Sequence, residues 1–95
     1  NGRLERIASP LQKGRRLLEE ALAVDGSHEE ARLYVAWLDA REGRRLKAQR
    51  AFLEVFETAV VLENKGHAAI QLGRLHSAEQ DWRNATRWWR WVTLS

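Results

Sequence analysis

The sequence predicts an all-α chain that folds as a stack of antiparallel helix pairs. Apolar residues recur at helical spacing through most of the chain, turn residues interrupt them at intervals, and the pattern repeats with a regular period. No stretch shows the alternation of apolar and polar residues that is typical of a strand. The single proline and six scattered glycines leave no linker, so we expect residues 1–95 to form one domain of about five helices.

Start and stop signals define the first two predicted helices. Ser9 suits an N-cap and Pro10 suits the first helical position, so a helix is expected to begin there and to end before Gly26. Ser27 repeats the start signal as an expected N-cap, and Gly43 is a natural terminator. The second predicted helix fills the interval between them.

Three further helices are predicted in the C-terminal half. The third carries an apolar face from Leu46 onward and is expected to end near Gly66. The fourth is marked by apolar residues from Ala68 to Leu75, and the fifth begins after Asp81. This last helix holds four of the five tryptophans in the chain.

A pattern of one small residue followed four positions later by a large apolar residue recurs along the chain. The pairs are Gly14 and Leu18, Ala48 and Phe52, and Ala85 and Trp89. The first interval is 34 residues and the second is 37, so three residues are inserted in the second unit. We expect them between Ala59 and Gly66, where they would add about one helical turn or lengthen the loop.

With this period and signature, the chain resembles the tetratricopeptide repeat family, whose unit has about 34 residues and pairs a small residue with a large aromatic in its second helix. Leu72 and Gly73 match the family's first-helix pair, and Gly43 lies at its inter-helix turn. The sequence departs from the family at Gly26, where the family has proline. The resemblance implies a right-handed stack that binds other proteins.

The repeat also predicts where the units begin and end. Residues 1–26 would form a partial repeat, 27–65 a full repeat with the inserted residues, and 66–95 a second full repeat. Because the first unit lacks its start and the chain has no methionine, we expect it to be a piece of a longer protein.

The resemblance implies a partner-binding groove lined by the first helices of successive repeats. The implied positions are Glu30, Leu33, Tyr34, Trp37 and Arg41 in one repeat and His67, Ile70, Gln71, Arg74 and Ser77 in the next. Tyr34 and Trp37 would anchor a peptide, and Arg41 or Arg74 would pair with an acidic residue on it. Alternatively, Tyr34 covers the seam to the preceding helices and Trp37 packs against a neighbour that is missing from this sequence.

The last predicted helix offers a second surface. Ala85, Trp89 and Val92 share the face expected to pack on the fourth helix, whereas Trp88 and Trp91 are expected to project elsewhere. The second surface would comprise Arg83, Arg87, Trp88, Arg90 and Trp91. Exposed tryptophans on a terminal helix indicate a missing helix, a homodimer mate or a ligand, and we favour the first two. Stacking on nucleic acid or binding to an anionic membrane surface is the alternative.

Catalytic and cofactor sites are not predicted. The chain has no cysteine, its three histidines are far apart, and no glycine-rich loop is placed to hold a phosphate. His76 and Glu79 share a helix face, but a metal site needs further ligands. We therefore expect no metal or cofactor and a protein or peptide partner rather than nucleic acid or membrane. The compartment stays open, with a slight preference for the cytoplasm.

Overall fold

The computed structural model describes residues 10–24 and 28–94, and within them the chain is entirely helical apart from short loops. The helices are α1 (Pro10–Val24), α2 (Glu29–Arg41), α3 (Arg45–Thr58), α4 (Leu62–Ala78) and α5 (Trp82–Leu94). No strand occurs in these two ranges. The predicted all-α class and the predicted number of helices are therefore confirmed. None of these helices combines the length and the apolar character that crossing a membrane requires.

The helices are stacked in chain order. Each helix packs on the next one, and α2 also contacts α4. The loops that follow α2, α3 and α4 have only three residues each, which makes successive helices antiparallel neighbours. The contact between α2 and α4 places the first helices of two successive pairs side by side.

The core lies between α2, α3 and α4 and is built largely from small residues. Its buried members are Ala36, Ala48, Phe52, Val55, Ala68 and Leu72. Alanines let the helix backbones approach closely, and Phe52 fills the space between the helices. Ala85, which is 37 residues after Ala48, is buried in the same way on α5. Ala48 and Ala85 of the predicted repeat thus occupy helix contacts, whereas Gly14 does not, because among the described residues a Cβ atom built on it would meet nothing within 4 Å.

The turns after α2 and α4 have the same geometry at a spacing of 37 residues. Gly43 has φ of 84° and Gln80 has φ of 60°, so both take the left-handed conformation that ends a helix. In the first turn the Arg44 N–H donates to the Asp39 carbonyl at 2.8 Å, and in the second the Asp81 N–H donates to the His76 carbonyl at 2.8 Å. The predicted 37-residue interval is therefore repeated in the backbone.

The side chains at these turn positions form equivalent contacts, with the acidic and basic residues exchanged. Asp39 accepts a hydrogen bond from Arg44 at 3.3 Å, and His76 Nδ1 lies 3.2 Å from Asp81 Oδ2. Asp39 is only 1% exposed and also accepts from Arg15 at 3.1 Å, which joins α1 to α2. A buried carboxylate with such partners is satisfied rather than strained.

The predicted boundary between the third and fourth helices is wrong. α3 ends at Thr58, and Gly66 lies inside α4, which begins four residues earlier than the repeat register would place it. The inserted residues therefore form an added turn at the start of α4. Glu29 explains the boundary, because its carboxylate accepts the N–H groups of Val60 at 2.6 Å and Val61 at 3.3 Å. These two amides are thereby held in a loop instead of a helix.

The predicted N-cap of α2 is also wrong. His28 is the N-cap, and its Nδ1 accepts a hydrogen bond from the N–H of Ala31 at 3.1 Å. The predicted caps Ser9 and Ser27, and the predicted stop at Gly26, lie outside the described residues.

Candidate functional site

An open cleft with a volume of about 420 Å³ lies between α2 and α4, with α3 beneath it. Its lining residues are Glu30, Leu33, Tyr34, Trp37, Phe52, Glu63, Asn64, His67 and Gln71. The α2 residues Glu30, Tyr34 and Trp37 follow one another at spacings of four and three, which places them on one helix face. Glu63 and His67 have the same relation on α4. The cleft therefore has two helical walls with side chains that converge on it.

Most of the predicted groove positions line this cleft, but four do not. Glu30, Leu33, Tyr34, Trp37, His67 and Gln71 are in the lining, whereas Arg41, Ile70, Arg74 and Ser77 are outside it. Arg41 instead stacks on Trp37, with its guanidinium 4.8 Å from the ring centroid. Arg74 is exposed on α4. The predicted pairing of Arg41 or Arg74 with an acidic ligand group inside the groove is therefore not supported by their positions.

Three lining residues were missed by the sequence analysis. Phe52 comes from the second helix of its pair and forms part of the floor. Glu63 and Asn64 belong to the added turn of α4, which the sequence left undecided between helix and loop. Only a helical assignment of residues 62–66 would have put them on the same face as His67 and Gln71.

Glu29 holds the beginnings of α2 and α4 together. The Asn64 side-chain amide donates to it at 2.9 Å, in addition to the backbone amides of Val60 and Val61. These donors, with Asn64 contributing most, hold the pKa of Glu29 below its usual value because they stabilise the ionised form. Since Glu29 is in the first turn of α2, the first turns of α2 and α4 lie next to each other at one end of the cleft.

The cleft is acidic at that end and aromatic further along. Glu30 and Glu63 are both first-turn residues, and none of the described lining residues is a lysine or an arginine. Tyr34 is 59% exposed, so it does not cover a seam between helices, as the alternative reading of the sequence had it. Trp37 is half-buried against the core of this chain instead of a missing neighbour, and it also faces the cleft.

The tryptophans of α5 are arranged differently from the prediction. Trp88 and Trp91 do not project from the molecule, because each ring packs edge-on against Phe56 of α3 with centroids 4.8 Å apart. The prediction considered packing of α5 on α4 alone, whereas these long side chains reach past α4 to α3. Trp88 and Trp91 therefore give no support to self-association, because both rings already have partners within the chain.

Trp89 packs on α4 as predicted, with its indole lying against Gly73. It is still 38% exposed, because no helix in the described ranges follows α5 to cover its other side. Trp82 is the most exposed tryptophan on α5, at 58%. The exposed aromatic surface of α5 therefore comes from Trp82 and Trp89.

The predicted arginine stripe on α5 is exposed. Arg83, Arg87 and Arg90 line a shallow depression together with Trp82 and Thr86. Within residues 10–24 and 28–94, none of these three arginines forms an ion pair. The outer face of α5 is thus basic, in contrast to the acidic end of the cleft.

The histidine and glutamate considered as metal ligands are engaged separately. His76 pairs with Asp81, and Glu79 accepts a hydrogen bond from the Gln49 side chain at 2.9 Å. In the part of the chain that the structure describes, no three or more His, Asp or Glu side chains are grouped to hold a metal ion.

The fold and the cleft together define a helical stack of paired helices with one concave, partly aromatic surface. No model of a protein family matches the chain, and neither the curated proteins nor the solved structures include a significant match to it.

Proposed function

We propose that this chain is a non-catalytic protein-interaction module of the tetratricopeptide type, which binds a peptide segment of a partner in the cleft between α2 and α4. The tetratricopeptide assignment is supported by the repeated turn geometry, with Gly43 and Gln80 in the same conformation 37 residues apart. The adjacent first helices α2 and α4 also support it, because they form the wall that lines the groove in that family.

The cleft itself is the observation that carries the proposal. Its volume of about 420 Å³ is in the range of small-ligand pockets, which is enough for two or three side chains of an extended segment. Leu33, Tyr34, Trp37 and Phe52 supply the apolar surface, and Gln71 and Asn64 supply amides. Aromatic residues such as Tyr34 and Trp37 are typical anchors of protein interfaces.

The proposal can be tested with peptides selected from a random 12-residue display library on the immobilised chain. Tyr34→Ala removes an exposed ring from the cleft wall, and we expect it to weaken the selected peptides by about tenfold, since interface anchors commonly contribute more than about 1 kcal/mol. Arg74→Ala is the matched control, because Arg74 lies on α4 outside the cleft. Equal affinity for the wild type and Tyr34→Ala, measured by isothermal titration calorimetry, would show that peptides do not use this cleft.

The outer face of α5 supports a second candidate function, which is binding of nucleic acid or another anionic surface. Arg83, Arg87 and Arg90 are exposed and form no ion pair within the described part of the chain, and the Trp82 ring lies beside them for stacking. Affinity for a single-stranded oligonucleotide would then fall steeply with salt and disappear in the variant with all three arginines changed to alanine. Affinity that does not depend on salt would rule this function out.

A further inference from the structure

We propose that the cleft between α2 and α4 selects peptide segments with a basic residue, arginine in particular, at the end formed by Glu30 and Glu63, followed by an apolar residue near Trp37. This inference rests on the proposed peptide-binding function and specifies its ligand. It follows from the positions of the Glu30 and Glu63 carboxylates, from the exposed Tyr34 ring, and from the distance between Glu30 and Trp37 along α2.

The Glu30 and Glu63 carboxylates lie at the same end of the cleft. The hydrogen bonds from Val60, Val61 and Asn64 to Glu29 join the beginnings of α2 and α4. Glu30 follows Glu29 directly and Glu63 precedes Asn64 directly, and both line the cleft. The two carboxylates therefore stand on opposite walls at the same end.

Glu30 and Glu63 differ from most other described carboxylates in their contacts. Most other described carboxylates are engaged: those of Glu29, Asp39, Glu42, Glu54, Glu79 and Asp81 all form hydrogen bonds or ion pairs. Glu30 and Glu63 are exposed and, among the described residues, have no such partner. Since the described lining residues include no lysine or arginine, the end of the cleft attracts a cation and repels an acidic segment.

The exposed Tyr34 ring favours arginine over lysine in the ligand. Tyr34 is one helical turn from Glu30 on the same face, and its exposed ring can accept a planar cation by stacking. The same contact is already made within the chain, where the Arg41 guanidinium covers the Trp37 ring at 4.8 Å. A guanidinium can stack on Tyr34 and still donate in its plane to a carboxylate, whereas an ammonium group acts as a point charge.

The distance between Glu30 and Trp37 along α2 sets the spacing of the ligand motif. Glu30 and Trp37 are seven residues apart on α2, which corresponds to about 10 Å along the helix axis. A chain in the polyproline II conformation covers this distance in about three residues and returns its side chains to the same side with that period. The ligand motif is therefore a basic residue followed three positions later by an apolar residue.

The test uses selection from the random 12-residue display library on three proteins. These are the wild type, the double variant Glu30→Gln with Glu63→Gln, and the control Glu19→Gln with Glu57→Gln. The control removes the same charge from two exposed carboxylates outside the cleft. Thermal unfolding monitored by circular dichroism verifies that all three are folded, which matters because first-turn carboxylates also stabilise helices.

We expect wild-type and control selections to be enriched in arginine over glutamate, with an apolar residue three positions later. The cleft variant should lose this enrichment and bind the wild-type peptides at least tenfold more weakly, while the control binds them unchanged. Peptides that require Tyr34 but show no basic preference, or that bind the cleft variant normally, would overturn this inference and leave the proposed function intact. Peptides indifferent to Tyr34→Ala, or no recovered peptides, would overturn both.

Discussion

Replacing Gly73 with alanine tests the close contact between α4 and α5. A Cβ atom built on Gly73 would lie 2.6 Å from Cδ1 and 3.0 Å from Cε2 of the Trp89 indole, well inside van der Waals contact. The added methyl group therefore forces the indole or the helix to move, and overpacking of this kind costs about 1–3 kcal/mol. Alanine also gains about 1 kcal/mol over glycine in helix propensity. The two contributions oppose each other, so Gly73→Ala alone is expected to lower the free energy of unfolding by roughly 0–2 kcal/mol.

Gly66 supplies the matched control for this prediction. It lies in the interior of the same helix, but a Cβ atom there would meet nothing within 4 Å. Gly66→Ala should therefore raise the free energy of unfolding by the full propensity gain of about 1 kcal/mol. The difference between the two variants isolates the steric cost of the methyl group, since the propensity contribution is common to both.

Urea unfolding monitored by far-ultraviolet circular dichroism measures both variants without relying on the tryptophan signal. The Trp89→Ala background completes the experiment, because removing the indole should make Gly73→Ala as stabilising as Gly66→Ala. The reasoning is refuted if Gly73→Ala stabilises the chain as much as Gly66→Ala while Trp89 is present. It is equally refuted if the penalty at Gly73 persists in the Trp89→Ala background.

Two further predictions concern buried and exposed carboxylates. Asp39→Ala should lower the free energy of unfolding by about 2–3 kcal/mol, because it deprives the half-buried Arg15 of a charged hydrogen-bond acceptor. Arg44→Ala, on the exposed side of the same network, should lower it by less than about 1 kcal/mol. Equal losses for the two variants in urea unfolding would contradict this ranking. The lowered pKa of Glu29 means that its contribution is complete above its usual pKa of 4.5 and is lost as the pH falls through its lower pKa in the folded chain. The stability difference between the wild type and Glu29→Gln should therefore shrink on acidification, and a difference that is constant with pH would count against the role of this carboxylate.

The features that could be predicted from the sequence are those that depend on local spacing. Helical periodicity and the Gly43 terminator indicated the helices, and the recurrence of small residues indicated where the helices touch. Ala48 and Ala85, singled out by their 37-residue spacing, are both fully buried. Tyr34 and Trp37, which line the cleft, were expected there because of the resemblance to the tetratricopeptide repeat family.

The errors at the end of α3 and in the packing of the α5 tryptophans involve contacts between residues that are distant in the sequence. The end of α3 depends on Glu29, about thirty residues earlier in the chain, so no local signal near Gly66 could reveal it. The packing of Trp88 and Trp91 depends on Phe56, which reaches them from a helix that is not their neighbour in the chain.

The amino-acid pattern alone was sufficient for the helical class and the repeat interval, because both can be read from spacing along the chain. The face of α2 that lines the cleft was expected only from the resemblance to a repeat family. The charge of the cleft and the burial of the α5 tryptophans required the folded chain. The added turn of α4 brings Glu63 into the cleft opposite Glu30, and Phe56 of α3 packs against Trp88 and Trp91 of α5. Both outcomes depend on how helices are positioned relative to one another, and this positioning is set by side-chain contacts that spacing along the chain does not encode.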